Sequence, residues 1–427
     1  MNLPIQLARG LKRKAYDALS LDRMNDKFKI LAINYIFLMV YFTLESVFVN
    51  TLILRVSGGD MHAVLLYRAF TFAFSAIGMN LASVFSHKIS SVTAIRVAGA
   101  LYVLLFSILF VGMERVYSFI YFVGAISGLA GGFYFSGHVV LLTNYTTQQN
   151  RAVGIAIVTI TQGVTTLLMP LISGIVIGLM PYMIGYRVMF GFAIAAVLAQ
   201  VSFMRKLSPV PGAQKKSEMR FALNLIFERT ILRAMLTMEF VRGLRDGVFA
   251  FFLNIVLFEI VKSESLVGFN TFLAGLAAIL AAWLYGRLVT PRNRAPIVAA
   301  GITALLVFCS MLLLSLTTLT IILFSIINAF LAQIIVNCAM NNSFDIMGQD
   351  ETTRGVLTEL LGFREIAMMC GRIGGVVVVS LFPSTLRGYV YAMLTLTAIQ
   401  YIMAFMLYVC RRISDREQGQ ALEAGNG

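Results

Sequence analysis

The segment Glu239-Phe-Val-Arg242-Gly-Leu-Arg245-Asp246 places four ionisable side chains in an otherwise apolar run, AMLTMEFVRGLRDGVFAFFLNIVLF. An ionised side chain at the centre of a bilayer costs about 2.5–3.5 kcal/mol on insertion scales. A chain keeps such groups where they pair or face a watery cavity. At helical spacing Glu239 meets Arg242 (i, i+3) and Arg242 meets Asp246 (i, i+4), so one stripe can neutralise itself. Glu45, Arg68, Glu359, Arg364, Glu365 and Arg372 lie in similar apolar surroundings, which sets five deep acids against five deep arginines. Two kinds of chemistry follow from these types. A desolvated carboxyl can take and release a proton near neutral pH. A guanidinium captures a carboxylate or phosphate through two parallel hydrogen bonds. With acids and arginines nearly balanced, protonating one acid frees one arginine. The competing reading is a permanent salt-bridge network that pins helices together. His138 is a third type of candidate, a proton carrier or else a hydrogen-bonded structural group. Asn337 stands among Asn328, Gln333, Asn341 and Asn342 as a polar lining.

The elements that must hold these groups are membrane helices. Of 427 residues 59% are hydrophobic and 13% charged, about half the charged fraction of a soluble domain. Twelve stretches approach the ~20 residues needed to cross a bilayer: 30–54, 61–85, 94–113, 117–142, 152–179, 182–204, 234–260, 265–289, 296–316, 319–344, 355–382 and 388–410. The fold class expected is therefore all-α integral membrane, with twelve transmembrane helices in two six-helix pseudo-repeats. The domains are a basic, amphipathic lead-in (1–29) suited to anionic headgroups, a six-helix bundle (30–204), a linker (205–233), a second bundle (234–412) and a polar, Gly-rich, disordered tail (413–427). No cleavable signal peptide precedes the first span. Counting Lys and Arg puts 24 on the side of the termini and even-to-odd loops, against Arg55, Arg115, Arg187, Lys262 and Arg387 opposite. By the positive-inside rule both termini are cytoplasmic, in a multi-pass protein of the cell (inner or plasma) membrane.

The halves repeat. Glu45-Ser-Val-Phe answers Asp246-Gly-Val-Phe at an offset of 201, His87 answers Arg287 at 200, and Arg151-Ala-Val answers Arg354-Gly-Val at 203. A six-helix unit has an even number of spans, so two copies share one topology about an axis along the membrane normal. With its cytoplasmic loop Gly286-Arg287-Leu-Val-Thr-Pro-Arg292-Asn-Arg294, the counterpart Ser86-His87-Lys88, and Arg151 and Arg354 at the starts of spans 5 and 11, the chain resembles the major facilitator superfamily of secondary transporters. Neither loop carries the acidic residue of that family's gating pattern. Span 5 echoes a glycine-rich antiporter motif through Gly154, Gly163, Pro170 and Gly174, residues that equally serve close helix packing. Gly124, Gly128 and Gly132 of span 4 carry the same packing reading.

The resemblance implies a central cavity lined by spans 1, 4, 7 and 10 and flanked by 2, 5, 8 and 11. The charges fall on spans 1, 2, 7 and 11, in keeping with it. Depth along the spans predicts the ion pairs Glu45–Arg68, Asp246–Arg364 and Arg245–Glu365. The substrate or proton-coupling candidates are Glu45, Arg68, His138, Glu239, Arg242, Arg245, Asp246, Asn337, Arg364 and Glu365. The gating-loop candidates are His87, Lys88, Arg151, Gly286, Arg287, Arg292 and Arg354. Cys309, Cys338, Cys370 and Cys410 show no metal spacing and read as small buried hydrophobes. Metalloprotease, P-loop and nucleophile-elbow motifs are missing from the sequence, as are nucleic-acid-binding modules, so no enzyme, cofactor, metal or nucleic-acid partner is expected. The function implied is alternating-access, proton-coupled transport of a small polar or anionic solute across the lipid bilayer. An exporter of amphipathic drugs or lipids, supported by Phe249, Phe251, Phe252, Tyr134 and Phe135, is the alternative, and a non-transporting receptor or scaffold is the second.

Overall fold

The computed structural model describes residues 24–84, 90–147, 151–181, 183–207 and 218–425, and among them there are helices but no strands. The long helices are α1 (Asp26–Val56), α2 (Met61–Val84), α3 (Ser91–Gly112), α4 (Ile120–Tyr145), α5 (Arg151–Leu179) and α6 (Ile184–Met204). After a short helix, Met219–Glu228, come α7 (Thr230–Val261), α8 (Glu264–Leu288), α9 (Arg294–Leu314), α10 (Thr318–Met347), α11 (Leu357–Ser380) and α12 (Leu386–Gly425). Local chemistry marks several ends. Asn25 caps α1 by accepting from Phe28 N at 2.7 Å, and Ser90 and Ser263 cap α3 and α8 in the same way. Thr317 and Thr320 form a reciprocal capping box at the start of α10. Lys262, at φ 53°, closes α7 in the left-handed region. Each cap satisfies backbone groups that have no partner inside the helix.

Nine segments among the described residues are long and apolar enough to cross a membrane, and one of them, Ser91–Tyr145, contains both α3 and α4. The two long helices outside that set are α7 and α11, which carry the buried Glu239, Arg242, Arg245 and Arg364. The chain is thus a multi-pass membrane protein. Two expectations about its edges differ from the structure. The tail continues α12 as helix to Gly425, and the linker holds the helix Met219–Glu228, whose Ala222, Leu225 and Ile226 pack on the second-half core. The lead-in as far as residue 23 lies outside the described residues.

Packing recurs with a period of six helices. In the first half α2 packs on α4, α3 on α4 and α6, and α1 on α5 and α6; in the second α8 packs on α10, α9 on α10 and α12, and α7 on α11 and α12. A polar tie repeats too. Gln200 of α6 accepts from Tyr41 of α1 at 2.7 Å, and 200 residues later Gln400 of α12 donates to the carbonyl of Val241 of α7 at 2.7 Å. The halves meet where α5 packs on α8 and α2 on α11. At the end bearing residues 57–60 and 262–263, here the far side, the two halves share one apolar core that includes Phe48 and Leu52 of α1 and Val256 and Phe258 of α7. Toward the terminal side the second half keeps a separate core, from Ala222 to Cys410.

Candidate functional site

Glu45 opens a π-helical turn, Glu45–Val49, inside α1. Such turns cluster at functional sites because they expose backbone groups and re-aim side chains. Its buried carboxylate accepts from the Tyr67 hydroxyl and, at 3.1 Å, from Ser127 Oγ. Arg68 Nη1 stands 3.7 Å from it, which brings together the first pair foreseen from depth. Arg68 is held in turn by Asn50 Oδ1 at 2.8 Å and the carbonyl of Ser46 at 2.6 Å, next to the π turn. Its guanidinium lies 5.5 Å from the ring centre of Phe251 on α7, so a first-half charge rests on a second-half aromatic.

The second-half cluster is organised around Glu239, which is fully buried. Glu239 Oε1 accepts from Arg364 Nε at 2.9 Å and from Ser343 Oγ at 2.6 Å, while Oε2 lies 2.8 Å from Arg242 Nη2. Arg242 Nε stands 3.8 Å from Asp246, and Arg364 Nη1 stands 3.2 Å from Glu365. The expected Asp246–Arg364 pair is therefore replaced by Glu239–Arg364. The reason is depth: α7 starts at Thr230 and α11 at Leu357. At 1.5 Å per residue Glu239 is then about 14 Å in, Arg364 about 11 Å, and Asp246 about 24 Å. Nor does Arg245 pair with Glu365. It points into the second bundle, bonding Asn328 of α10 and, at 3.4 Å, Thr397 of α12, with the Phe249 ring 4.0 Å from its Cζ. Glu359 is not deep either; near the start of α11, it accepts from the backbone N–H of Glu218 at 3.1 Å. Four deep acids remain against five arginines.

Glycines bring α7 and α11 close enough for this cluster. A Cβ on Gly243 would lie 3.1 Å from Gly371 Cα, one on Gly371 would run into the Phe240 carbonyl, and one on Gly375 into that of Leu244. These are small-xxx-small faces, Gly243/Gly247 against Gly371/Gly375. The packing reading of Gly124, Gly128 and Gly132 holds likewise, since their Cβ positions meet the backbone of α2. Gly174 packs on α8, with 3.1 Å from its Cβ position to Gly268 Cα, whereas Gly163 faces open space.

The remaining candidates are more dispersed. His138 is buried between Tyr35 and Tyr134, at centroid distances of 4.6 and 5.7 Å, with neither ring nitrogen hydrogen-bonded. Asn337 accepts from Gln333 at 2.9 Å on its own helix. Arg287 stacks on Trp283 at 3.8 Å, the Arg292 carbonyl accepts from Arg411, Gly286 faces open space, and Arg354 bonds the Gly348 carbonyl at 2.8 Å. His87 and Lys88, and the side chain of Arg151, lie outside the described residues. Three features had no signal in the sequence: the supports Tyr67, Ser127 and Ser343, the contact of Arg372 with α2, and the far-side tie between halves. In that tie Arg55 Nη2 of α1 stands 2.5 Å from Glu264 of α8, whose same oxygen accepts from Tyr186 of α6 at 3.0 Å. Ser384 and His62 add a second link at 3.0 Å. Only the four-charge spacing and the matching depth of Glu45 and Arg68 were visible beforehand.

Six-helix packing repeats in the two halves, and each half holds its own cluster of buried charges. The comparisons give this arrangement a family: residues 28–356 match the Major Facilitator Superfamily, and the chain belongs to it. A relative in Bacillus subtilis (strain 168), the uncharacterised protein YqgE, is 23% identical over 383 residues, covering 88% of this chain and 87% of that one. Among solved structures, the nucleoside transporter NupG aligns with a TM-score of 0.66 at 10% identity over 90% of this chain and 99% of its own. A bacterial homologue of the iron transporter ferroportin, in its inward-facing state, aligns at 0.66 and 12% over 89% and 98%. A bacterial metal transporter aligns at 0.64 and 11% over 91% and 99%. At these identities the similarity is one of fold.

Proposed function

We propose that the chain is a proton-coupled secondary transporter, with twelve spans in two six-helix bundles and cytoplasmic termini, that moves a small polar or anionic solute by alternating access. The observation that carries the reading is the position of Asp246. Its side chain is 23% exposed, as Glu365 is 25% exposed, while Glu239, Arg242 and Arg364 behind them are sealed. An acid with partial access to water and an arginine 3.8 Å away can exchange a proton without dismantling the buried pairs beneath it. The shared far-side core with its Arg55–Glu264 tie fits one end state of an alternating cycle. The solved relatives are named for nucleosides and for metals, including iron; a site this rich in arginine repels a metal cation and suits a polar or anionic solute better than an amphipathic drug or lipid. The buried Glu239–Arg364 pair pins α7 to α11 whatever the solute.

Solute uptake and counterflow in proteoliposomes, with and without a pH gradient, test this reading. Asp246→Asn is expected to abolish gradient-driven uptake and to spare exchange. If both survive unchanged, Asp246 is structural. If no solute in a broad screen shows flux in the wild type, the transporter reading falls and the receptor or scaffold reading takes its place.

A further inference from the structure

Four acids and five arginines lie deep in the bundle, and the pairing shows which arginine is left over toward the first half. Arg242 and Arg364 between them engage Glu239, Asp246 and Glu365. Arg245 is turned into the second bundle. Arg372 remains. Among the described residues no carboxylate lies within ion-pair distance of it, and its buried Nε has no hydrogen-bond partner. Among the described residues the hydrogen-bond partners of its Nη atoms are the sulfurs of Met369 and Met368, at 3.7 and 3.8 Å. The half-buried guanidinium lies 5.5 Å from the ring of Phe72 on α2, at the junction of α2, α7 and α11. Gly247 makes room for its stem, for a Cβ there would come within 2.6 Å of Arg372 Cβ.

The geometry points to Arg372 as an anion-binding residue that takes a carboxylate or phosphate group of the solute between the two halves. This assignment rests on the transporter reading and narrows its solute class to anions. A planar guanidinium with weak sulfur contacts has its fork free for two parallel hydrogen bonds. Phe72 supplies a first-half surface, so a solute held here touches both halves. The charged groups around Arg372 are Asp246 and Arg242 on α7, Glu365 on α11 and Arg68 on α2. An anion on Arg372 brings a second negative charge close to Asp246, so anion binding and proton uptake there favour each other, by reciprocal linkage.

The test is equilibrium binding to the purified full chain in detergent, read by thermal stabilisation. The probes are sodium lactate, uncharged lactamide and sodium phosphate, at matched ionic strength. Lactate or phosphate should stabilise the wild type, and lactamide should not. Arg372→Gln should weaken the response at least tenfold, and Arg372→Lys, which keeps the charge without the fork, should retain part of it. Binding of lactate should draw protons from a weakly buffered solution, and Asp246→Asn should reduce that uptake. The assignment is overturned if lactamide binds as well as lactate, if neither anion binds, or if Arg372→Gln binds unchanged. Should Arg372→Gln not fold, Arg372→Lys decides, and undiminished lactate affinity in it refutes the role of the fork. Binding without a gradient does not report flux, so failure here is separable from failure of the transport reading.

Discussion

Replacing Glu239 by Gln probes the centre of the charge cluster. Glu239 is fully buried and faces Arg364 at 2.9 Å, Arg242 at 2.8 Å and Ser343 at 2.6 Å. Removing one member of a buried ion pair costs about 3–5 kcal/mol, because the partner charge is left uncompensated. Here the partners are not left bare. Arg364 keeps Glu365 at 3.2 Å, Arg242 keeps Asp246 at 3.8 Å, and the amide oxygen of Gln still accepts from Ser343. The low end applies, about 3 kcal/mol. Adding Arg364→Gln removes the charge that has lost its most buried partner, so the double variant should be about 2 kcal/mol more stable than the sum of the single losses predicts. Equilibrium unfolding of the full chain in mixed micelles with sodium dodecyl sulfate, followed by circular dichroism, measures both quantities. A Glu239→Gln loss under about 0.5 kcal/mol, the size of an ordinary surface change, or strict additivity, would refute the view that this carboxylate holds α7 to α11.

Three further predictions concern packing, the far side and a terminal-side loop. Gly371→Ala drives a methyl into the Phe240 carbonyl and should cost about 1–3 kcal/mol, whereas Gly362→Ala, which meets nothing within 4 Å, should be neutral or stabilising; equal effects in the same unfolding assay would discredit the glycine contact. Glu264→Gln weakens charge-assisted bonds to Arg55 and Tyr186, worth about 1.5–3 kcal/mol with an ionised partner, so opening of the far side should rise roughly ten- to hundredfold. Maleimide labelling of a cysteine at Val47, with Cys370 removed, reads this, and unchanged labelling would mean the tie does not close the far side. Asp350 lies in the loop before α11, where burial works against its charge but the Thr353 N–H and the Arg229 guanidinium outweigh it and hold the carboxyl below its usual value. Its contribution is thus complete above the unfolded carboxylate pKa of about 3.9 and fades as pH falls through the lower folded value. Asp350→Ala should cost about 0.5–2 kcal/mol at neutral pH through the lost cap, and should unfold with a flatter acid dependence than the wild type; parallel acid profiles would exclude the linkage.

Apolar length and spacing made the helices legible in the sequence, because a membrane helix must bury or expose its whole surface to lipid or protein. Depth counting placed Glu45 beside Arg68 because α1 and α2 join through a short turn that fixes their relative height. It failed for Arg364, since apolar patterning sets the start of a charged helix late: Thr230 and Arg233 belong to α7 although they look like linker. Rotation about the helix axis was less legible still. Arg245 and Asp246 are neighbours in sequence, yet a 100° step turns one toward Asn328 and the other toward Arg242. The π turn at Glu45 left no trace in composition, and the glycine faces of α7 were masked by the charges between them.

The Glu239–Arg364 bond has a consequence for biosynthesis. Its partners are 125 residues apart in the chain. At roughly 5–20 residues per second, Glu239 leaves the ribosome about 6–25 s before Arg364 exists to meet it. Within α7 only Arg242 is available in the interval, at i+3. The helix must therefore enter the membrane partly self-neutralised, and α11, the other long helix too charged to count as an apolar span, enters onto a partner already waiting. The charge that organises the mature site also sets an order of assembly, in which the second half is incomplete until its eleventh helix docks.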